Sequence, residues 1–186
     1  CPDLRGALGD RKSNRLALAY LAQHPSSSFT LRNLCSHLAD FIRAEPRWTA
    51  PHTKLAREIA RFEWAQTLAF DEASRPVVTR ADFARASPAR LKLGVQPYLT
   101  LLALEHPVDR YVIAVKKRDT LRAEASNATT SAKHAAKGHK VALPRRQRIW
   151  VAVHRADNQL YYKRLDAPAF RILSALRDGQ PLARAV

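Results

Sequence analysis

The sequence holds no methionine, two cysteines and five glycines in 186 residues. With no Met at any position, the first included, the expectation is that residues precede Cys1, and Pro181 to Val186 reads as the start of a helix cut short. Cys1 and Cys35 are too few for a disulfide framework, and neither belongs to a CxxC pair of the redox or zinc-binding kind. Cys35 lies among Leu34, Leu38 and Phe41, the setting of a buried, inert thiol rather than of a nucleophile. The glycines form neither GxGxxG nor GxxxxGK[ST], which argues against a nucleotide cofactor. Long apolar runs are missing too: stretches such as Leu101 to Leu104 and Val112 to Val115 fall far short of a membrane span. No stretch near Cys1 combines a basic start, an apolar middle and a small-residue cleavage site. A soluble, cytoplasmic protein with no membrane partner is the expectation.

Acidic residues are also scarce. Sixteen Asp and Glu stand against 32 Lys and Arg, a formal charge of +16. Such an excess favours association with something acidic, a nucleic acid, an acidic peptide or an acidic protein face. An Arg-rich and Ala-rich composition puts the same charge on any solvated surface, and both readings stand at this level.

The apolar residues that are present fall into periodic patterns. Leu16, Ala19 and Tyr20 predict a helix from Asp10 to Gln23, stopped by Pro25. Thr30 reads as the N-cap of a second helix carrying Leu31, Leu34, Leu38, Phe41 and Ile42, ended at Glu45-Pro46. A third, expected to be the longest, starts near Pro51, carries Leu55, Ile59, Phe62, Ala65 and Ala69, and ends between Asp71 and Ser74. Thr79 can cap a short helix reaching Ala86, before the turn at Ser87-Pro88. From Leu91 to Leu104 the apolar residues alternate as in a half-buried strand, with Pro97 marking a bend or an edge. Val108 to Val115 fits a strand, or a helix capped by Asp109.

Lys116 to Arg148 reads as a mobile linker. It has ten basic residues against Asp119 and Glu124, a net of +8, and its middle, Ser126 to Lys140, has no large apolar side chain with which to offset the entropy of ordering. A solvated loop is favoured there over a dedicated anion-binding arm. Ile149 to Val153 and Leu160 to Leu165 are β-prone runs around Ala156-Asp157-Asn158-Gln159, the pattern of a hairpin. Asp166 then caps a helix bearing Phe170, Leu173 and Leu176, closed by Gly179. The fold class is therefore α+β: an N-terminal helical domain over 1–90, a strand and connection over 91–115, the linker over 116–148, and a hairpin with a helix over 149–186. The C-terminal part resembles a winged helix or a peptide-recognition element.

Catalytic groupings are hard to find. Of seven histidines, His134 and His139 fall in the linker, His24, His52 and His106 adjoin prolines, and His37 and His154 stand alone, so no metal-ligand spacing emerges. Glu58 and Glu63, five apart on one helix, suit ion pairs with neighbours better than shared acid and base work. Phe62, Trp64 and Phe70 read as core or inter-domain packing. The expectation is a non-enzymatic protein without metal or cofactor. Three strands leave two open edges, to which an extended peptide can add a strand. Arg148, Tyr161, Lys163 and Arg164 are the candidate peptide-binding residues. Alternation puts Tyr161 and Lys163 on one face and Tyr162 and Arg164 on the other; the first pair is favoured as solvent-facing, with Leu160, Tyr162 and the following helix closing the core.

The string His24-Pro25-Ser26-Ser27-Ser28-Phe29-Thr30-Leu31, then Ala60-Arg61-Phe62-Glu63-Trp64-Ala65 leading to Ala69-Phe70-Asp71, then Leu91-Lys92-Leu93 to Leu101-Leu102, resembles a bacterial group. It is the DNA-binding-domain family linked with HvfC/BufC-type peptide-modification partner proteins, and the likeness runs in order over most of the chain. The sequence does not separate this group from methanobactin-type partner proteins. The resemblance implies a protein that pairs with a multinuclear non-heme iron oxidase and delivers a ribosomally made precursor peptide for cysteine modification. The family name implies the alternative, a DNA-binding transcriptional regulator. The long Lys/Ala/Ser linker departs from the family pattern. The helix from Asp166 offers Arg171 and Arg177 but also Asp166 and Asp178, a poor composition for reading a major groove.

Overall fold

Residues 1–85, 93–127 and 141–185 are described by the structure, a computed structural model. Its architecture is α+β, with helices before, between and after the strands of a three-stranded antiparallel sheet. Among the described residues no helix is long and apolar enough to cross a membrane. The chain divides into two compact units that interleave along the sequence: Cys1–Trp64 with Glu105–Gln147, and Ala65–Leu104 with Arg148–Val186. The interleaving departs from the consecutive segments read from the sequence, because long-range contacts, not chain order, decide what folds together.

In the first unit, α1 (Pro2–Leu8) has proline in its first turn, where the missing N–H has no helical partner to lose. It lies against α6 (Val108–Asn127) at Gly6: a Cβ there would stand 3.1 Å from the Tyr111 hydroxyl, a tight contact that glycine avoids. The helix α2 (Asp10–Gln23) has the predicted bounds and buries Leu16 and Tyr20. The Tyr20 hydroxyl donates to the Leu34 carbonyl at 2.6 Å, which fixes the following segment.

That segment is not the single helix expected from Thr30. Thr30 is extended and makes no side-chain cap; a 3-10 turn, Leu31–Cys35, is followed by α3, Leu38–Ala44. Leu31 is 69% exposed, so no buried stripe supports an α-turn at the start, whereas Leu38, Phe41 and Ile42 are buried and hold α3. Cys35, expected to be buried, is half-buried, with its Sγ 3.4 Å from that of Cys1. A second 3-10 turn, Pro46–Trp48, leads to α4, Thr53–Asp71. Leu55, Ile59 and Phe62, at helical spacing, are 4% exposed or less.

Val108 to Val115 is helix, with Val108, Tyr111, Val112 and Val115 on one buried face. Once that face is anchored, the Lys, Arg, Leu, Ala and Glu that follow are good helix formers and propagate it. Residues 116–127 are therefore helical rather than linker, and α6 at 20 residues exceeds α4 at 19, the helix expected to be longest. The rest of the expected linker middle, 128–140, lies outside the described residues, as do the end of the short helix at Ala86, the turn at Ser87-Pro88, Leu91 and Lys92.

In the second unit, α5 (Arg80–Arg85) follows Thr79, whose amide and hydroxyl donate to Asp82 Oδ2 at 2.8 and 2.6 Å. The strand expected from Leu91 is much shorter: β1 is Thr100–Leu104. Pro97 lacks the N–H a ladder needs, and the Gln96 amide is engaged with the Arg75 backbone, accepting at 2.8 Å and donating at 3.0 Å. The hairpin is present as β2 (Ile149–Ala156) and β3 (Gln159–Leu165). Its two turn residues, Asp157 and Asn158, have φ of 47° and 58°, the left-handed pair that a tight hairpin requires. The sheet order is β1-β2-β3.

The helix α7 (Ala167–Arg177) is capped by Asp166, whose carboxylate accepts from the Ala169 amide at 2.8 Å. It ends at Gly179, φ 74°, where the amides of Gly179 and Gln180 return to the Leu176 and Ala175 carbonyls. This is a Schellman closure, and it needs a residue tolerant of the left-handed region. A last turn, α8, spans Leu182–Ala185.

Candidate functional site

The register of β2 and β3 follows from their two-residue turn: Ala156 opposes Gln159, and counting back pairs His154 with Tyr161, Ala152 with Lys163 and Trp150 with Leu165. Side chains opposite each other share a face. One face of the hairpin therefore carries Trp150, Ala152 and His154 with Tyr161, Lys163 and Leu165. The other carries Val151, Val153 and Arg155 with Leu160, Tyr162 and Arg164.

The second face is tied down. The Tyr162 hydroxyl bonds Gln66 Oε1 at 2.7 Å, and Val151 and Val153 are fully buried. Arg155 donates to the Phe70 and Glu72 carbonyls and lies 5.0 Å from the centre of the Tyr98 ring. The first face meets α7, which lies against β1 and β2, with the Trp150 and Phe170 rings 6.3 Å apart. The cover on Tyr162 thus comes from the end of α4 and not, as the sequence reading had it, from the following helix. Alternation fixes which residues share a face but not which neighbour covers it.

Tyr161 and Lys163 are exposed, Tyr161 at 44%. The Tyr161 ring stacks on His154 at 5.6 Å, nearly parallel, and its hydroxyl is 3.4 Å from Gln159 Oε1. Arg148 is exposed just before β2, its guanidinium 5.7 Å from the centre of the Trp150 ring. Three of the four candidate residues, Arg148, Tyr161 and Lys163, therefore belong to the side of the sheet that bears Trp150. Arg164 is half-buried on the opposite face and does not join them. His154 and Trp150 belong to this surface and were missed. The hairpin turn would have placed His154 opposite Tyr161, had the register been carried through. β3 is a terminal strand, hydrogen-bonded to β2 on one side.

Elsewhere, the side chains considered for chemistry have structural partners. The Glu58 carboxylate, 6% exposed, accepts from the amides of Glu105 and His106 at 2.8 and 3.1 Å, and His106 Nδ1 is 2.8 Å away. It holds the turn that starts α6. Glu63 accepts from the Asp3 amide at 3.0 Å, so the two glutamates have separate tasks. Burial, with the Asp3 carboxylate beside it, pushes Glu63 up to about 7; burial also raises Asp3, and raises Tyr111 to about 12. Phe62 is core, whereas Phe70, expected in packing, is 59% exposed near the end of α4. His37 does not stand alone: it stacks on His24 at 5.4 Å, beside Tyr20 and Phe41. Among the described residues no three His, Cys, Asp or Glu side chains converge as a metal site would require. A comparison with protein-family models gives no match, and neither does one with the curated proteins.

Proposed function

We propose that this protein is a non-catalytic partner which binds a ribosomally made precursor peptide along β3 and presents it to a multinuclear non-heme iron oxidase for cysteine modification. The observation that carries the peptide half is the terminal strand β3 with Tyr161 and Lys163 turned to solvent beside His154. An added strand gains backbone hydrogen bonds from such an edge, and the alternating side chains select the sequence. The cationic Lys163 and Arg148 suit an acidic leader. The oxidase half rests on the family resemblance of the residues from His24 to Leu102.

Isothermal titration of the leader peptide into wild type, Lys163→Glu and Arg122→Glu is the deciding measurement. Lys163→Glu is expected to weaken binding by about 1 to 2 kcal/mol, the range for a partly desolvated charge contact. Loss in Arg122→Glu alone would move the site to α6, and loss in neither removes β3 from the reading. Co-purification with the oxidase, set against an unrelated control protein, tests the second half. For the DNA-binding alternative, α7 makes a weak recognition helix: Arg177 is paired with Asp178 at 2.9 Å, and Phe170 meets Trp150 of the sheet. Sequence-selective gel shifts with a steep salt dependence would favour DNA instead.

A further inference from the structure

Lys12 and Arg15, one turn apart on α2, and Arg47 and Trp48 of the second 3-10 turn line an open cavity of about 380 Å³. The guanidinium carbons of Arg15 and Arg47 are 5.8 and 5.2 Å from the centre of the Trp48 ring, within range of its attraction for cations. The three cations repel one another here, and Glu45 pairs with Arg47 at 2.8 Å. Lys12 donates to the Ala50 carbonyl at 2.8 Å, a neutral partner, and no carboxylate among the described residues pairs with it. Among the described residues the buried indole N–H of Trp48 has no hydrogen-bond partner.

We propose that this cavity binds a small phosphate ester with a flat aromatic body, the chemistry of a nucleoside monophosphate. Two guanidinium forks and an ammonium match the geometry and charge of a phosphate group. The indole supplies the surface on which a base stacks. The volume exceeds what a bare phosphate needs and lies within the range of sites for small organic ligands. No glycine-rich cradle is involved, because side chains hold the phosphate. All four residues belong to the unit of Cys1–Trp64 and Glu105–Gln147, whereas β3 belongs to the other unit.

Titration calorimetry of the whole chain with adenosine monophosphate, inorganic phosphate and adenosine tests the proposal. The monophosphate is expected to bind at least about tenfold more tightly than either fragment, and Arg15→Ala and Lys12→Ala each to weaken it by about tenfold. Both side chains are exposed, so the melting temperature should not move. Trp48→Leu should abolish the preference for the monophosphate over phosphate; if that variant fails to fold, the Arg15 and Lys12 variants carry the test. An oligothymidylate that outcompetes the monophosphate through the same residues would place the ester in a nucleic-acid strand and support the site. Equal affinity for phosphate and the monophosphate, no binding, or binding indifferent to both Arg15→Ala and Lys12→Ala would overturn it.

Discussion

Apolar side chains are used differently in the two units. In the first, Ile42, Ile59, Phe62, Val108 and Val112 are all at 0% exposure. In the second, β2 buries Val151 and Val153, yet α7 has no buried residue at all: Phe170, Leu173 and Leu176 remain half-exposed, and Tyr161 on the same side of the sheet faces water. The helical unit buries these stripes against one another, while Leu18, Leu21, Phe29, Leu31 and Ile113 lie outside them and stay exposed. In the sheet unit, one helix partly covers one face and leaves aromatic and cationic side chains beside an open strand. Uncovered aromatic surface next to unpaired sheet edges is what partner binding draws on, whereas fully buried stripes serve stability.

Truncation is the strongest way to break this contrast. Phe62→Ala should cost about 3 to 5 kcal/mol, the range for emptying a buried aromatic site. Phe170→Ala should cost roughly 1 kcal/mol, because a half-exposed ring loses less contact and leaves no closed cavity. Urea unfolding followed by tryptophan fluorescence measures both, and equal losses would erase the distinction.

A pH titration of stability sharpens it from the electrostatic side. Glu63 titrates near 7 in the folded chain and close to 4.5 when unfolded, so the folded state holds its proton more tightly. The stability this contributes is present below the unfolded value, declines as pH rises from there to about 7, and changes no further above it. Burial of the carboxylate makes the effect on the order of 3 kcal/mol. Asp3, raised in the same way, adds to the slope. Glu63→Gln should flatten the profile, seen in melting temperatures at pH 4.5 and 7.5; an unchanged slope would show that the pair does not control it.

Smaller effects belong to the sheet unit. Asp166→Ala removes the cap of α7 and should cost about 1 kcal/mol, while faster amide exchange at Ala169 reports the freed N–H. Asn158→Gly should stabilise the hairpin by about 0.5 kcal/mol, because glycine enters the left-handed region without the steric penalty of a Cβ. A loss of stability on that exchange would contradict the assigned turn.

By itself the sequence determined the features that a few adjacent residues control. Pro25 limits α2, Asp157-Asn158 sets the hairpin and its register, Asp166 caps α7, and Gly179 closes it. Each depends on a local dihedral or a hydrogen bond within one turn, so its free energy is decided before the chain folds further. The helix-or-strand ambiguity at Val108 to Val115, the division of the segment after Thr30, the half-buried position of Arg164, and the meetings of His24 with His37 and of three cations with Trp48 were decided by the tertiary structure alone. Local propensities there differ by less than the burial energy of the side chains involved, and that burial depends on residues far away in the chain, which no short pattern encodes.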